Sequence, residues 1–341
     1  MNLIKEFSGV LKFSLESNLW LFLLQEENGV RAIRKLSSTD FSELWSHAND
    51  YYSYQILGDK IYLTTTGKEQ RTEVLNLGNG NALSEHFEAT FHFDGYFKTR
   101  DEFLCIATLD KKKVYVLFDV KSEKILDVFT PPLGINNVYK LAGRDNYLSV
   151  KKGQINLYKA FESDPVWEFY IDRHLGVPVK VGHKQIDNTD NTIIVKIDDL
   201  SRNERYLVGL DLQTGKVKWR HQGYSNFELH NGKLYNIEFY GQYRVLNAES
   251  GEIEQEADLQ KEFERVDINC EHRFNVSNSH IYFKHAIKGK FGVLNTKTLK
   301  IEEVQQLPEG NTMSTEEYPI PVDNRLYVRS APQNNLFVYE R

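Results

Sequence analysis

Short runs of alternating apolar and polar residues recur along the chain, each closed by turn residues. The stretch "VGLDLQTGKVKW" at 208–219 is the clearest. Alternation of this kind predicts a half-buried strand. Asp at the strand end can bond the turn backbone, and Gly supplies the positive φ of a bulged hairpin. The same arrangement returns in "VLNAESGEI" (Asn247, Ser250, Gly251), "VLNTKTLKI" (Asn295, Thr298), "VLFDVKSEKI" (Asp119, Ser122) and "EVLNLGNGNA" (Asn76, Asn79, Gly80). The anchors recur about every 43 residues, a spacing that belongs to propeller blades.

A second series lies upstream of these hairpins. It comprises "WLFLL" at 20–24, "KIYLTT" at 60–65, "EFLCIA" at 102–107, "NYLSV" at 146–150, "TIIVK" at 192–196, "KLYNI" at 233–237, "HIYFK" at 280–284 and "RLYVR" at 325–329. Polar turn residues precede several of them: Gly58–Asp59, Asp145, Asn231–Gly232, Asn278–Ser279 and Asp323–Asn324. Two weaker copies run through Trp45 and Trp167, with Lys35 and Lys159 where the other units have Asp or Asn. The last unit stops after its third strand, and residues 2–7 form a short strand without a hairpin partner. Pairing the two would remove an exposed edge. The expected fold is all-β: a single β-propeller over residues 1–341, with eight four-stranded blades closed by the N-terminal strand. Seven blades is the alternative.

Composition narrows the function classes. The formal net charge is −6 at pH 7, which leaves no basic footprint for nucleic acid. Two cysteines, Cys105 and Cys270, make no disulfide framework. Lys12 and Glu16 interrupt the apolar start, no small-x-small cleavage site follows, and the run Leu19 to Leu24 is too short to span a bilayer. The expectation is a cytoplasmic monomer, provided that Met1 is the natural start.

At "LDLQTGKVKW" the chain resembles the PQQ-like (quinoprotein alcohol dehydrogenase-like) β-propellers, whose blades carry D-x-x-T-G-x-x-x-W. That pattern is complete at Asp211, Thr214, Gly215 and Trp219 and partial at Asn247, Ser250 and Gly251. The resemblance implies that these are structural residues: Trp packs between neighbouring sheets, and Asp and Thr satisfy the turn. The quinone-dependent members also have an adjacent cysteine pair, a calcium site and an export signal. This sequence has neither the cysteine pair nor the signal, so no quinone and no other cofactor is expected.

The remaining motifs favour plain readings. "TTTGKEQR" lacks the Ser or Thr that must follow the Gly67–Lys68 pair in a phosphate loop. Cys270 and His272 have no second Cys/His pair to complete a zinc site, so no metal is expected. "DNTDN" at 187–191 reads as a turn before "TIIVK", and "EIEQEADLQKEFER" at 252–265 as an acidic, helix-compatible insertion with a solvated face. "FYIDRHLGVPVKVGHKQ" at 169–185 reads as a long connection. Its Arg173 and His174, with Tyr224 and Tyr240, are the candidate ligand-binding residues, since loops carry function more often than core strands. No catalytic residue can be assigned. The leading functional reading is a non-enzymatic scaffold for a protein partner, such as an adaptor or a cytosolic immunity protein. The alternative is an enzyme or small-molecule binder using the central channel.

Overall fold

Two-residue turns join neighbouring strands within the blades. Asn28–Gly29 and Asn231–Gly232 both have positive φ at their two positions, 52° and 77°, 49° and 72°. That is the turn whose twist matches an antiparallel hairpin. The computed structural model describes residues 1–16, 20–66, 71–84, 90–91, 96–97, 102–109, 112–129, 138–140, 146–151, 153–159, 162, 164–175, 179–199, 204–223, 226–238, 241–268, 274–315 and 317–341.

These residues form eight sheets, the first seven built from strands that follow one another in the chain, and the fold is an eight-bladed β-propeller. Blades 1 to 7 lie within 10–48, 51–84, 90–129, 138–170, 179–222, 226–258 and 275–306. Blade 8 takes Ile320–Val322, Arg325–Arg329 and Leu336–Glu340, and its fourth strand is Asn2–Phe7, antiparallel to Leu336–Glu340. The eight upstream strands expected from sequence are the second strands of the eight blades. In blade 3 the first strand is two short pieces, Thr90–Phe91 and Tyr96–Phe97, both paired with Glu102–Leu109.

One irregularity repeats. The outer strand carries an extra residue at the same register position in blades 1, 2, 3, 5, 6, 7 and 8. Such a bulge bends the strand and increases its twist. The bulged residues are Leu44, Leu83, Leu126, Lys218, Glu254, Glu302 and Ile4.

Three sequence expectations change. Residues 169–185 are not one long connection: Trp167–Tyr170 ends blade 4, a single helical turn spans Ile171–Leu175, and Val179–Asn188 is the first strand of blade 5. The acidic stretch is mostly strand. Ile253–Asp258 is the outer strand of blade 6, and only Gln260–Val266 is helical. That helix buries Phe263, which packs edge-on to Phe283 at 5.2 Å. Finally, Ser37, not Lys35, holds the turn position of blade 1. Its Oγ accepts from Thr39 N at 3.2 Å, whereas Lys35 lies opposite Trp45, where blade 5 has Gly209 opposite Trp219.

The chain divides into two compact units, Met1–Phe7 with Leu148–Tyr158 and Asp164–Arg341, and Ser8–Tyr147 with Lys159–Ser163. In both, the core lies between consecutive blades. In the first, Ile194, Leu207 and Trp219 of blade 5 meet Leu234, Leu246 and Ala248 of blade 6. In the second, Tyr62 and Val74 of blade 2 meet Phe103, Val116 and Phe118 of blade 3. Each strand sends alternate residues to its two neighbours, so both faces of the inner strands are apolar.

Candidate functional site

The repeat residues come together as latches between blades. Asp211 Oδ1 accepts from Thr214 N at 2.8 Å and from Thr214 Oγ1 at 2.7 Å. These bonds hold the Asp211 carboxyl below its usual range. Gly215 follows with φ 68°. On that glycine lies Trp167 of the preceding blade, whose Nε1 donates to Leu212 O at 2.8 Å. Trp219 in turn reaches the next blade: it covers Gly251 (φ 73°) and donates to Ala248 O at 3.2 Å. There Asn247 Oδ1 accepts from Glu249 N and Ser250 N, each at 3.0 Å. Blade 1 repeats the device on blade 2, with Trp45 over Gly80 and its Nε1 3.3 Å from Leu77 O. Lys35 joins it, donating to Leu77 O at 2.9 Å from beneath the Trp20 ring. Thus the Asp-Thr-Gly and the Trp of one motif serve two different junctions.

The blade 5–6 latch carries an electrostatic clasp. Burial pushes the Glu249 carboxyl up, but bonds from Lys218, Thr189 and Thr192 outweigh this and hold it at about 2. Lys218 Nζ lies 2.8 Å from Glu249 Oε2 and Thr192 Oγ1 2.5 Å from it. The folded-state value lies below the unfolded one, so the stabilisation is present above about pH 4.5 and disappears as pH falls toward about 2. A Glu249→Gln variant should therefore show a flatter fall in melting temperature across that interval than the wild type. Parallel curves would rule out this contribution.

Arg173 and His174 sit together on the Ile171–Leu175 turn, both exposed. Arg173 stacks on the Tyr170 ring at 4.2 Å, and His174 tilts against Phe169 at 5.6 Å. Tyr170 also donates to Glu168 Oε2 at 2.9 Å. The patch mixes aromatic rings with Arg173, Asp172 and Glu168, and these groups contact one another. Tyr224 and Tyr240 lie outside the described residues, as do Gly67, Lys68, Cys270 and His272. The turn within "DNTDN" precedes Thr192–Asp199 and is closed by Thr189 N donating to Thr192 O. Among the described residues no cluster of three His, Cys, Asp or Glu could hold a metal.

Two polar groupings were not singled out from the sequence. Between blades 5 and 6, Lys196 is 6% exposed, with Asp198 and Arg205 beside it. The facing blade 6 supplies Asn236 and Arg244. Arg244 binds Glu238 and Glu256 at 2.6 and 2.7 Å. Asn236 donates to Asn226 O at 2.7 Å, yet its Oδ1 is buried with no hydrogen-bond partner. Burial lowers the pKa of Lys196, with Asp198 opposing the shift. Between blades 1 and 2, Tyr51 donates to Glu73 Oε2 at 2.6 Å and lies 3.0 Å from His47 Nδ1. Asn49 binds the other Glu73 oxygen at 2.8 Å. A sequence signal existed for the first grouping, a lysine inside the apolar strand "TIIVK". For the second, the partners come from three different strands and the turn at Asn49.

The outer strands show a third pattern. The bulged residue is an exposed leucine in blades 1, 2 and 3, at 51%, 50% and 50% for Leu44, Leu83 and Leu126. In blades 5, 6 and 7 it is charged and paired: Lys218 with Glu249, Glu254 with Lys233, and Glu302 with His280.

No helix among the described residues is long and apolar enough to cross a membrane. No family model matches the chain, and no curated protein does. Solved structures similar to it over its length include the computationally designed Ika8 protein, at 11% identity and TM-score 0.63, covering 100% of this chain and 98% of that one. BamB from Moraxella catarrhalis follows at 14% identity and TM-score 0.58, covering 99% of each chain. The C-terminal WD40 domain of Sif2 gives 14% identity and TM-score 0.56, covering 100% and 96%. At these identities what is shared is the fold, and the chain is a β-propeller.

Proposed function

We propose that this chain is a non-enzymatic protein-interaction scaffold on a PQQ-like propeller, a cytoplasmic monomer that binds a protein partner without nucleic acid, membrane or cofactor. Adaptor and toxin-neutralising immunity protein are the two roles that fit. The observation that carries this reading is the register of exposed leucines on the outer strands of blades 1 to 3. Single exposed apolar residues need no explanation; a residue type repeated at one structural position does. The Trp-on-glycine latch at three junctions supports the PQQ-like assignment. It also supplies the rigidity that a docking platform requires.

A tagged pull-down from lysate of the source organism, read by mass spectrometry, tests the proposal. A near-stoichiometric partner surviving moderate salt is expected, and its identity separates adaptor from immunity protein. Retention of nothing sinks the scaffold reading. A second reading, a binder of a small polar molecule, is favoured by the buried, unsatisfied Asn236 Oδ1. A metabolite that raises the melting temperature of the wild type but not of Asn236→Ala would favour it over the scaffold.

A further inference from the structure

We propose that the free edge of the blade 3 outer strand, Lys124–Phe129, accepts an extended strand of a partner protein with an apolar centre and acidic flanks. The inference rests on the scaffold reading and names its surface. Exposed sheet edges offer unpaired N–H and C=O groups, and proteins blunt them with charges, bulges or covering segments. Blades 5, 6 and 7 place a charge at the bulge. Blade 3 places Leu126 there, and two residues on exposes Val128 as well, at 50% and 48%. The strand is the last in its sheet.

The charge around this edge selects the occupant. Lys121 and Lys124 are exposed at its start, and Lys112 and Lys113, on the neighbouring strand, are exposed beyond its end. None of the four forms an ion pair among the described residues, whereas Glu123 is held by Lys60. Asp127 is the one exposed acid in the strand, and its Oδ1 accepts from Val128 N at 2.8 Å. Cations at both ends of an apolar centre complement an incoming strand with the opposite layout, and strand addition supplies the main-chain bonds. The Asp127–Val128 bond acts as a guard that the arriving strand displaces.

The test uses the full chain and a fluorescein-labelled probe, Asp-Glu-Val-Thr-Val-Thr-Val-Glu-Asp, read by polarisation. A counterpart with Lys in place of each acid is the control. The wild type should bind the acidic probe, less tightly as salt rises. Leu126→Asn with Val128→Asn should weaken binding at least about tenfold, while Leu83→Asn on blade 2 leaves it unchanged. Asp127→Ala should bind more tightly than Asp127→Asn, because both remove the charge and only alanine frees the Val128 amide. If the double variant does not fold, Lys121→Glu with Lys124→Glu gives the same reading by removing the preference for the acidic probe. No binding by the wild type, or equal binding of both probes, overturns the proposal. A natural partner that the double variant still captures also overturns it, and leaves the scaffold reading intact. Tight probe binding with no natural partner captured supports the edge and counts against the scaffold.

Discussion

Replacing Trp219 with alanine should destabilise the fold by about 3–5 kcal/mol, the cost of truncating a buried large aromatic side chain. Trp219 is 7% exposed and packs in the cluster that joins blades 5 and 6. Its indole ring lies on Gly251 on one side and against Gly209 of its own blade on the other. The loss has two parts. Most is the cavity between the blades; the rest is the bond from Nε1 to Ala248 O. Trp219→Phe keeps most of the ring and removes the bond, so it should cost about 1–2 kcal/mol by leaving the carbonyl short of a donor. Trp167→Ala should match Trp219→Ala, since Trp167 is 8% exposed and bonds Leu212 O. Trp45→Ala should cost less, because Trp45 is only half-buried and its bond is longer. Chemical denaturation of the four variants gives the order. An alanine variant at position 219 within about 1 kcal/mol of wild type would refute the latch, since such losses are typical of minor sites.

Gly251→Ala should cost about 3 kcal/mol, combining a left-handed residue with overpacking. At φ 73° the added Cβ would lie 2.4 Å from Cγ of Trp219, so the ring must leave its seat. The same turn position shows that handedness alone is tolerable. Phe41, Glu123 and Leu299 occupy it in blades 1, 3 and 7 with φ 61°, 58° and 56°. Trp45, Trp167 and Trp219 instead cover the glycines at this position in blades 2, 5 and 6. Glu123→Gly should therefore be as stable as wild type or slightly more so: relief of about 1 kcal/mol of backbone strain offsets a surface ion pair with Lys60 worth under about 1 kcal/mol. Thermal unfolding of Gly251→Ala and Glu123→Gly side by side checks both. A gain for Glu123→Gly as large as the loss for Gly251→Ala would mean that the conformation, and not the tryptophan, requires glycine at 251.

Much of this was legible because propeller chemistry is local. The Asn-Gly turns at 28–29 and 231–232, the Asp211–Thr214 turn and the alternating strands each depend on residues close in sequence. They recur at one period, so blade number followed from counting. The acidic stretch at 252–265 misled because its charges suit a helix as well as an exposed outer strand. Position settled it: Ile253–Asp258 follows the Asn247 turn and pairs with Gln242–Asn247.

The candidate sites were far less legible. Arg173 and His174 stood out as neighbours in sequence, and in the structure they stack locally on Tyr170 and Phe169. The groupings around Lys196 and Tyr51 join residues from different blades or strands. Their meeting depends on which face of each strand a side chain occupies. The sequence by itself determined the blades and their turns, because hydrogen bonds between neighbours in the chain specify them, and it determined the closing strand because the last unit is one strand short and residues 2–7 have no hairpin partner. Only the tertiary structure decided that Trp219 serves the next blade while Leu212 and Gly215 receive Trp167, and that Leu44, Leu83 and Leu126 share one structural position. Those facts depend on packing between sheets and on where a single bulged residue falls, and neither is written in the alternation of any one strand.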